Sequence, residues 1–155
     1  MSLDILGALA PAPFVVIPAG RKFPNETDWP HKGISLVELN RRFSNNPRLN
    51  VGLILGPTSS VIDLDCDGPR AEESLLRLFD GPPPATLSFA SRRGRHLFFR
   101  YDPRFAELSA AFHSDEYPDL EFRLGGSKAA QTIIPPSTVD GVRREWLNSC
   151  EVAAW

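Results

Sequence analysis

The sequence predicts an α+β domain in which helices pack on a largely antiparallel sheet. Short apolar segments and amphipathic segments follow one another in the order β-α-β-β-α-β-β-α-β-β, which places strands next to strands as well as next to helices. After residue 85 the pattern becomes mostly β. The chain has 155 residues, of which 42% are hydrophobic, so it has apolar material for one core, and nothing in it marks a second domain.

The first elements are a strand, a loop, a helix and a second strand. Phe14 to Ile17 is a short apolar run that predicts a strand, and a loop rich in proline, glycine and polar residues follows from Pro18 to Gly33. Ser35-Leu36-Val37-Glu38 is a capping box, so we expect a helix that begins at Ser35 and ends at Asn45-Asn46-Pro47. Asn50 to Leu55 predicts the next strand.

A turn at residues 56–59 leads into an apolar strand, Val61 to Asp65. Because this turn is short, we expect the strands on either side of it to form a hairpin or to lie side by side. Pro69 is tolerated as a first helical residue, and the leucines that follow predict a helix that continues to Asp80-Gly81. Pro82-Pro83-Pro84 then forms a stiff connector.

The second half predicts four strands, one short helix and a closing strand. The helix is expected over Pro103 to Phe112 and the closing strand over Val142 to Leu147. The four strands are Thr86 to Ala90, Arg95 to Tyr101, Leu120 to Leu124, and Gln131 to Ile134.

Composition excludes several classes of protein. A formal net charge of −2 argues against a strongly basic nucleic-acid coat protein. No apolar run is long enough to span a bilayer and no secretory signal pattern is present, so we expect a cytoplasmic protein. Cys66 and Cys150 form neither a disulfide framework nor a paired zinc-binding spacing.

The strand Val61 to Asp65 ends in an acidic pattern that predicts a metal site. Asp63 and Asp65 occupy alternate positions, so in an extended strand both side chains project from the same face. Two carboxylates held this close repel each other unless a cation neutralises them, and Mg²⁺ or another hard divalent cation is the usual partner. A turn signal at the end of a strand is the alternative explanation.

Two other motifs fit the same residues less well. Residues 63–68 fill the first, third, fifth and sixth positions of an EF-hand loop, but Ser74 stands where that loop needs a bidentate acid, and a strand precedes it. Cys66 stands where Asp-x-Asp phosphatases continue with glycine. We expect Asp67 to cap a helix or to be solvated.

Two further segments place charged residues beside predicted strands. Residues 91–96, Ser-Arg-Arg-Gly-Arg-His, form a basic turn that delivers His96 to the start of an apolar strand, although a solvated turn also explains the arginines. In residues 119–126, Glu121 and Arg123 occupy alternate strand positions before a Gly-Gly turn.

Other polar residues have no motif around them. We expect His31 and His113 to be structural and Arg41-Arg42 and Arg143-Arg144 to be exposed.

The whole pattern resembles the N-terminal catalytic domain of bifunctional DNA primase/polymerases, the prim-pol branch of the archaeo-eukaryotic primase superfamily. The resemblance covers nearly the whole chain, with its parts in the family's order and spacing. The N-terminal loop of the family is matched by Pro18, Gly20, Lys22, Pro24 and Trp29. The Asn-h-Gly strand, the Gly turn and the Asp-h-Asp strand are matched by Asn50-Val51-Gly52, Gly56 and Val61-Ile62-Asp63-Leu64-Asp65. The middle motif of the family, a Gly-Gly-Arg-His turn, is matched by Arg93-Gly94-Arg95-His96. The third motif begins with an acidic residue, an apolar residue and Arg, matched by Glu121-Phe122-Arg123. It continues with a Gly turn and an apolar strand that ends in Pro-Pro-Ser, matched by Gly125-Gly126 and Ile133-Ile134-Pro135-Pro136-Ser137.

The chain departs from the family pattern at two positions. Arg93 replaces the first glycine of the middle motif, and Glu121 replaces the more frequent aspartate. The longer Glu121 side chain reaches about one methylene further, and the negative charge is retained.

The resemblance implies an RRM-like core that adds nucleotides to a primer on a single-stranded DNA template. NTPs or dNTPs would be the substrates, and the ions would be Mg²⁺ or Mn²⁺. Asp63, Asp65 and Glu121 would hold the ions and, with His96, are the expected catalytic residues. The expected nucleotide contacts are His96, Arg95, Arg123, Lys22 and Lys128.

Two alternatives to this function remain open from the sequence. One is a catalytically silent nucleic-acid-binding module of a replication initiator, and the other is a metal-dependent phosphodiesterase in which water replaces the primer hydroxyl. Residues 1–155 are expected to form one domain, either alone or as part of a longer replication protein. The resemblance adds a helicase or a C-terminal priming module as an expected partner.

Overall fold

The protein is described by a computed structural model that covers Ile5 and residues 13–155. The fold is α+β, as predicted, and every pairing between its strands is antiparallel. The helices are α1 (Leu36–Asn45) and α2 (Ala71–Leu78), with 3₁₀ turns at Trp29–His31 and Pro103–Glu107. The strands are β1 (Phe14–Ile17), β2 (Asn50–Ile54), β3 (Val61–Asp67), β4 (Ser88–Ala90), β5 (Gly94–Arg100), β6 (Ala111–His113), β7 (Leu120–Arg123), β8 (Gln131–Ile134), β9 (Thr138–Val139), β10 (Val142–Arg143) and β11 (Glu145–Trp146).

The strands form two sheets and a small hairpin. The large sheet has six strands in the order β11-β4-β5-β3-β7-β6, and the small sheet has three in the order β1-β2-β8. Strands β9 and β10 pair with each other. Since β3 lies in the middle of the large sheet, its side chains are flanked by β5 on one side and by β7 on the other.

The two faces of the large sheet pack against different partners. On the front face, Phe89 and Phe98 pack with Leu39 of α1 and with apolar residues of the small sheet. On the back face, Leu64 and its neighbours pack against Leu75 of α2. Because β3 is buried on both faces, any polar side chain on it needs partners within the protein.

Helix α1 forms where the sequence predicts it, because its start signal is local. Ser35 is the N-cap, and its hydroxyl accepts a hydrogen bond from the Glu38 amide at 3.3 Å. Leu39 is fully buried against the small sheet, and the helix ends before Asn46. Helix α2 begins at Ala71, two residues later than the Pro69 start we predicted.

The predicted pairing of the strands at Asn50 and Val61 is wrong. β2 pairs with β1 and β8 in the small sheet, whereas β3 belongs to the large sheet. The connection crosses from one sheet to the other through Gly56, whose φ is +90° and whose backbone lies against Gly125. A short turn therefore joins two strands that do not pair along their length.

Two predicted elements of the second half are also corrected. The Pro103 to Phe112 segment is a 3₁₀ turn followed by strand β6, since Phe112 stacks on Phe122 of β7 with ring centroids 5.1 Å apart. The Val142 to Leu147 strand is divided at Arg144: β10 pairs with β9, and β11 pairs with β4. In the part of the chain that the structure describes, neither helix has the length and apolar character needed to cross a membrane.

Candidate active site

The front face of the large sheet carries a row of ionisable side chains. In the strand register His96 of β5 lies opposite Asp65 of β3, and Asp65 lies opposite Glu121 of β7. Register partners on neighbouring strands point to the same face, so these three residues form one row. In the next row Asp63 lies opposite Arg123. The four motif residues that the sequence analysis names as catalytic therefore lie side by side on three adjacent strands.

Asp63 and His96 form a buried pair. Their side chains are 0% and 3% exposed, and Nδ1 of His96 lies 2.9 and 3.1 Å from the two carboxylate oxygens of Asp63. Burial acts to raise the pKa of Asp63, but the charge and hydrogen bond of His96, with help from Arg123, hold this pKa below its usual value. The His96 ring also stacks on Phe89, with centroids 4.4 Å apart and planes 9° from parallel. Asp63 and Phe89 together fix the orientation of the imidazole.

Asp65 lies nearer the surface, and its side chain is 15% exposed. Nε2 of His96 lies 3.4 Å from one of its oxygens, so the imidazole stands between two carboxylates. Burial raises the pKa of Asp65 to about 6; the negative charges of Asp63 and Glu121 add to the rise, whereas His96 and Arg123 oppose it. Asp65 is thus a desolvated carboxylate that lacks sufficient positive charge around it.

Arg123 connects the acidic row to the small sheet. Its Nη1 lies 3.4 Å from Glu121, its Nε lies 3.9 Å from Asp63, and Nη2 donates to the carbonyl oxygen of Gln131 in β8. Its Nε is buried, and no described residue accepts a hydrogen bond from it. The guanidinium therefore holds the two sheets together beside the carboxylates.

A cleft of about 700 Å³ opens above this row, between the large sheet, strand β8, the N-terminal loop and the β9–β10 hairpin. Asp65 and His96 line its floor, and Phe23, with a 69% exposed residue surface, lies at its rim. Three carboxylates line the cleft: Asp65, Asp67 and Asp140. Five basic side chains line it: Lys22, Arg92, Arg93, Arg123 and Arg144. The cleft thus combines an acidic floor with basic walls.

Comparison with protein families identifies the fold that carries this site. The family described as bifunctional DNA primase/polymerase, N-terminal, matches residues 8–155. The chain belongs to this family. No curated protein and no solved structure matches the chain. The primase/polymerase motifs that the sequence analysis quoted therefore have a family basis, and the family is one of nucleotidyl-transfer enzymes.

The carboxylates of Asp63, Asp65 and Glu121 are the candidate metal ligands on this face of the sheet. Among the described residues, no three His, Cys, Asp or Glu side chains are grouped closely enough to hold a metal ion. The donor chemistry nevertheless fits a hard divalent cation, since Asp65 and Glu121 are adjacent carboxylates and the charges of Asp63 and Glu121 add to the rise that burial causes in the pKa of Asp65. Asp63 differs, because His96 contacts both of its oxygens.

Two of the predicted nucleotide contacts lie away from the cleft. Arg95 precedes His96 on β5 and so points to the opposite face, where it forms a bidentate pair with Glu72 of α2 at 2.9 and 3.0 Å. Lys128 is exposed in the loop between β7 and β8 and does not line the cleft. Lys22 does line it, and its Nζ lies 2.9 Å from Asp140.

The middle motif forms an ion pair at the cleft edge. Arg93, which stands in place of the family's glycine, binds both oxygens of Asp67 at 2.7 and 2.9 Å. Asp67 does not cap a helix, because Arg70 occupies the N-cap of α2. The Asp67 side chain is 40% exposed, so the alternative expectation that Asp67 is solvated is confirmed. Gly94 is needed for close packing, since a Cβ there would lie 1.9 Å from the carbonyl oxygen of Cys66.

Two family motif residues prove to be structural supports. The side-chain amide of Asn50 donates to the Thr138 carbonyl and accepts from the Thr138 amide, both at 2.9 Å. The hydroxyl of Ser137 accepts from the Val51 amide at 2.8 Å. These bonds attach the β9–β10 segment to the small sheet and so position one wall of the cleft.

Sequence reasoning missed Arg144, which was expected to be exposed. Its guanidinium is largely buried, lies 5.5 Å from the centre of the Phe89 ring, and lines the cleft. No local pattern in the sequence indicates this position, because it depends on the pairing of the following strand, β11, with β4, which brings Arg144 over Phe89.

Proposed function

We propose that this chain catalyses template-directed nucleotidyl transfer to a nucleic-acid primer, as a DNA primase/polymerase. The observation that carries the proposal is the group of Asp63, Asp65, His96 and Glu121 on one face of the large sheet, in a chain of the primase/polymerase family. Two of these residues, Asp65 and His96, line a cleft with basic walls. Single-stranded DNA template, primer and NTPs or dNTPs are the proposed partners.

Asp65 and Glu121 are the residues that would hold Mg²⁺ or Mn²⁺, with Asp63 as the third carboxylate. When bound, divalent ions stabilise the charge that develops on the attacking and leaving oxygens of a phosphoryl transfer. The raised pKa of Asp65 supports this assignment, because a nearby cation would offset the repulsion that Asp65 now experiences from Asp63 and Glu121.

The protein's own cations would bind and orient the nucleotide. Guanidinium groups bind phosphate oxygens in pairs, and Arg92 and Arg123 line the cleft on either side of the acidic floor. His96 is held by Asp63 and Phe89, so it presents a fixed hydrogen-bonding group at the floor. Such preorganised groups stabilise developing negative charge without having to reorganise during the reaction.

The β8 strand would exclude water from one side of the site. Gln131 and Thr132 are buried, and both line the cleft beside Arg123. Gln131 also ties the N-terminal loop to the small sheet, because its side-chain amide donates to the Lys22 carbonyl at 2.9 Å. The loop that carries Lys22 and Phe23 is therefore fixed over the cleft.

The test is extension of a labelled primer on single-stranded template with dNTPs and Mg²⁺ or Mn²⁺. We expect the parent to extend the primer and Asp63→Ala/Asp65→Ala to lose at least about 100-fold of this activity. The matched control is Asp115→Ala/Glu116→Ala, which removes two exposed carboxylates from the β6–β7 loop. Circular dichroism of each variant separates lost activity from lost folding.

Other outcomes would replace the proposal. Shortened primer that depends on the metal would identify a phosphodiesterase. Binding of template without extension or shortening, by a folded parent protein, would identify the silent nucleic-acid-binding module.

A further inference from the structure

Arg144 is held in the wall of the cleft by contacts on three sides. Its backbone amide donates to the Ser137 carbonyl at 2.8 Å, and its Nη1 donates to the carbonyl oxygen of Ile133 in β8. Its guanidinium carbon lies 5.5 Å from the centre of the Phe89 ring. The side chain is therefore fixed in one direction, towards the cleft that it lines.

The charge of Arg144 has no acidic partner among the described residues. No carboxylate oxygen of these residues lies within 4.0 Å of its guanidinium, whereas Lys22, Arg93 and Arg123 each have at least one such oxygen within this distance. Arg144 uses one of its five N–H donors, towards Ile133. Among the described residues, the buried side-chain atoms that lack a hydrogen-bond partner belong to Arg123 and Gln131. The remaining N–H donors of Arg144 are therefore accessible, and they face the open cleft that this side chain lines.

Holding an unpaired cation in a half-buried wall costs free energy unless an anion binds there. Burial lowers the pKa of Arg144, and the charges of Asp63 and Asp65 oppose this effect from across the cleft floor. A planar group with several free donors matches phosphate oxygens, to which guanidinium donates two hydrogen bonds at once. An ammonium or a metal cation would be repelled at this position.

We propose that Arg144 binds a phosphate oxygen of the nucleoside triphosphate in the cleft. This inference rests on the proposed function and adds one specific nucleotide-binding residue to it. The triphosphate is favoured over a phosphodiester of the template because Arg144 is largely buried and contacts the same Phe89 ring as His96, which also lines the cleft. The exposed arginines at the rim are better placed for an extended strand.

The test compares three ligands by isothermal titration calorimetry, in the presence of Mg²⁺ and without primer. The ligands are dTTP, thymidine and a 12-nucleotide thymidine oligonucleotide. Arg144→Gln is expected to weaken dTTP binding about 10- to 100-fold, as for loss of a bidentate charge-assisted hydrogen bond, and to leave thymidine and oligonucleotide binding unchanged. Arg144→Lys keeps the charge and should recover part of the loss. The control is Arg143→Gln, which removes the neighbouring exposed charge.

Each other result of the titration overturns the inference. Unchanged dTTP binding by a folded Arg144→Gln assigns the residue a structural role. Weaker oligonucleotide binding with unchanged dTTP binding assigns it to the template strand. If the parent extends primers while Arg144→Gln binds dTTP normally, the inference fails and the proposed function stands; if the parent neither binds dTTP nor extends primers, both fail.

A second measurement on the parent protein does not require a folded variant. Phenylglyoxal modifies accessible guanidinium groups, and peptide mass spectrometry locates the modified residues. We expect dTTP to protect Arg144 from modification and to leave Arg143 unprotected. Equal modification of Arg144 with and without saturating dTTP would overturn the inference.

Discussion

At the scale of single residues, the site is defined by how three carboxylates share two basic partners. Asp63 is fully buried and His96 contacts both of its oxygens, so its charge is stabilised. Asp65 has a longer contact with the same imidazole, and Glu121 has one with Arg123. The least compensated charge is that of Asp65, and it is therefore the residue at which a cation would have the greatest effect.

Replacing Asp65 by asparagine is expected to stabilise the fold above pH 6. The pKa of Asp65 is about 6 in the folded chain against 3.8 ordinarily, so ionisation of this acid destabilises the folded state. The resulting decrease in the free energy of unfolding grows as pH rises from 3.8 through 6, and it amounts to about 3 kcal/mol once ionisation is complete. Urea unfolding at pH 5 and pH 8 should show that Asp65→Asn exceeds the parent in stability, and by more at pH 8.

The control for this prediction is Asp115→Asn, an exposed acid in a loop. It should change stability little at either pH. A lower stability of Asp65→Asn at pH 8 would mean that the ionised carboxylate is stabilised by its contact with His96.

The charged residues also indicate how far the sequence could predict the site. The position of Asp63, Asp65 and Glu121 on one face of the sheet could be derived, because it follows from strand alternation and from the family motifs. The direction of Arg95 follows from the same alternation: it precedes His96 on β5 and so points to the opposite face, which makes the prediction that both bind the nucleotide wrong for Arg95. Arg144 could not be derived, because its burial depends on contacts with Phe89 and Ile133, which are distant in the sequence.

At the scale of secondary structure, capping residues and hydrophobic patterns predict where helices and strands lie, whereas the pairing of the strands depends on contacts between residues far apart in the chain. Helix α1 was predicted because Ser35 and Glu38 act within one turn. The pairing of β2 and β3 was wrong because short turns usually join paired strands, whereas here β8 and β5 supply the partners from elsewhere in the chain. Strand β6 was mistaken for helix because its stabilising contact is with another strand.

Strand pairing at the middle motif depends on the absence of a side chain at residue 94. Gly94 lies opposite Asp67 in the β3–β5 register, and a Cβ at this position would lie 1.9 Å from the Cys66 carbonyl oxygen. Gly94→Ala should therefore force the two strands apart and cost about 1–3 kcal/mol of stability, the usual range for overpacking. Denaturant unfolding measures this loss.

A variant in the same turn provides the comparison. Arg92→Ala removes an exposed side chain and should shift the unfolding midpoint much less than Gly94→Ala. Equal midpoints for parent and Gly94→Ala would show that the β3–β5 pairing is looser than this contact implies.

At the scale of the whole molecule, the described residues form two hydrophobic cores, one on each face of the large sheet. The core in front of the large sheet supports the site, and the core behind it packs against α2. Trp155 joins the second core, where its ring packs edge-on against Phe79, Phe99 and Phe122 at 5.3–6.4 Å. The backbone supports this packing, since the Arg100 amide donates to the Ala153 carbonyl at 2.8 Å.

Removing the Trp155 ring should destabilise the domain although the ring packs against the back face of the large sheet, opposite the face that carries Asp65. Trp155→Ala is expected to cost about 2–3 kcal/mol, less than for a fully buried tryptophan because the residue is 38% exposed. Leu147→Ala, at a 53% exposed position, is the control and should cost less than about 1 kcal/mol. A shift in urea midpoint that is equal for the two variants would contradict the assignment of Trp155 to the core.

The distribution of charge over the molecule predicts how nucleic-acid binding depends on salt. The net charge is −2, yet five basic side chains line the cleft. Three of them, Lys22, Arg93 and Arg123, are paired with carboxylates, and Arg144 is assigned to the triphosphate. About one cation, Arg92, therefore remains for the DNA phosphates, which gives a slope of about −0.7 for log K against log salt with single-stranded DNA. Asp67→Asn/Asp140→Asn frees Lys22 and Arg93 and should steepen the slope to about −2.

Fluorescence anisotropy of a labelled oligonucleotide, titrated at several salt concentrations, measures both slopes. The double variant should also bind more tightly than the parent at low salt, because two repulsive carboxylates are removed from the cleft walls. Asp102→Asn is the matched control, since it frees Arg104 from an exposed ion pair outside the cleft and should leave the slope unchanged. If the double variant kept the parent's slope while Asp102→Asn changed it, the DNA would lie outside the cleft.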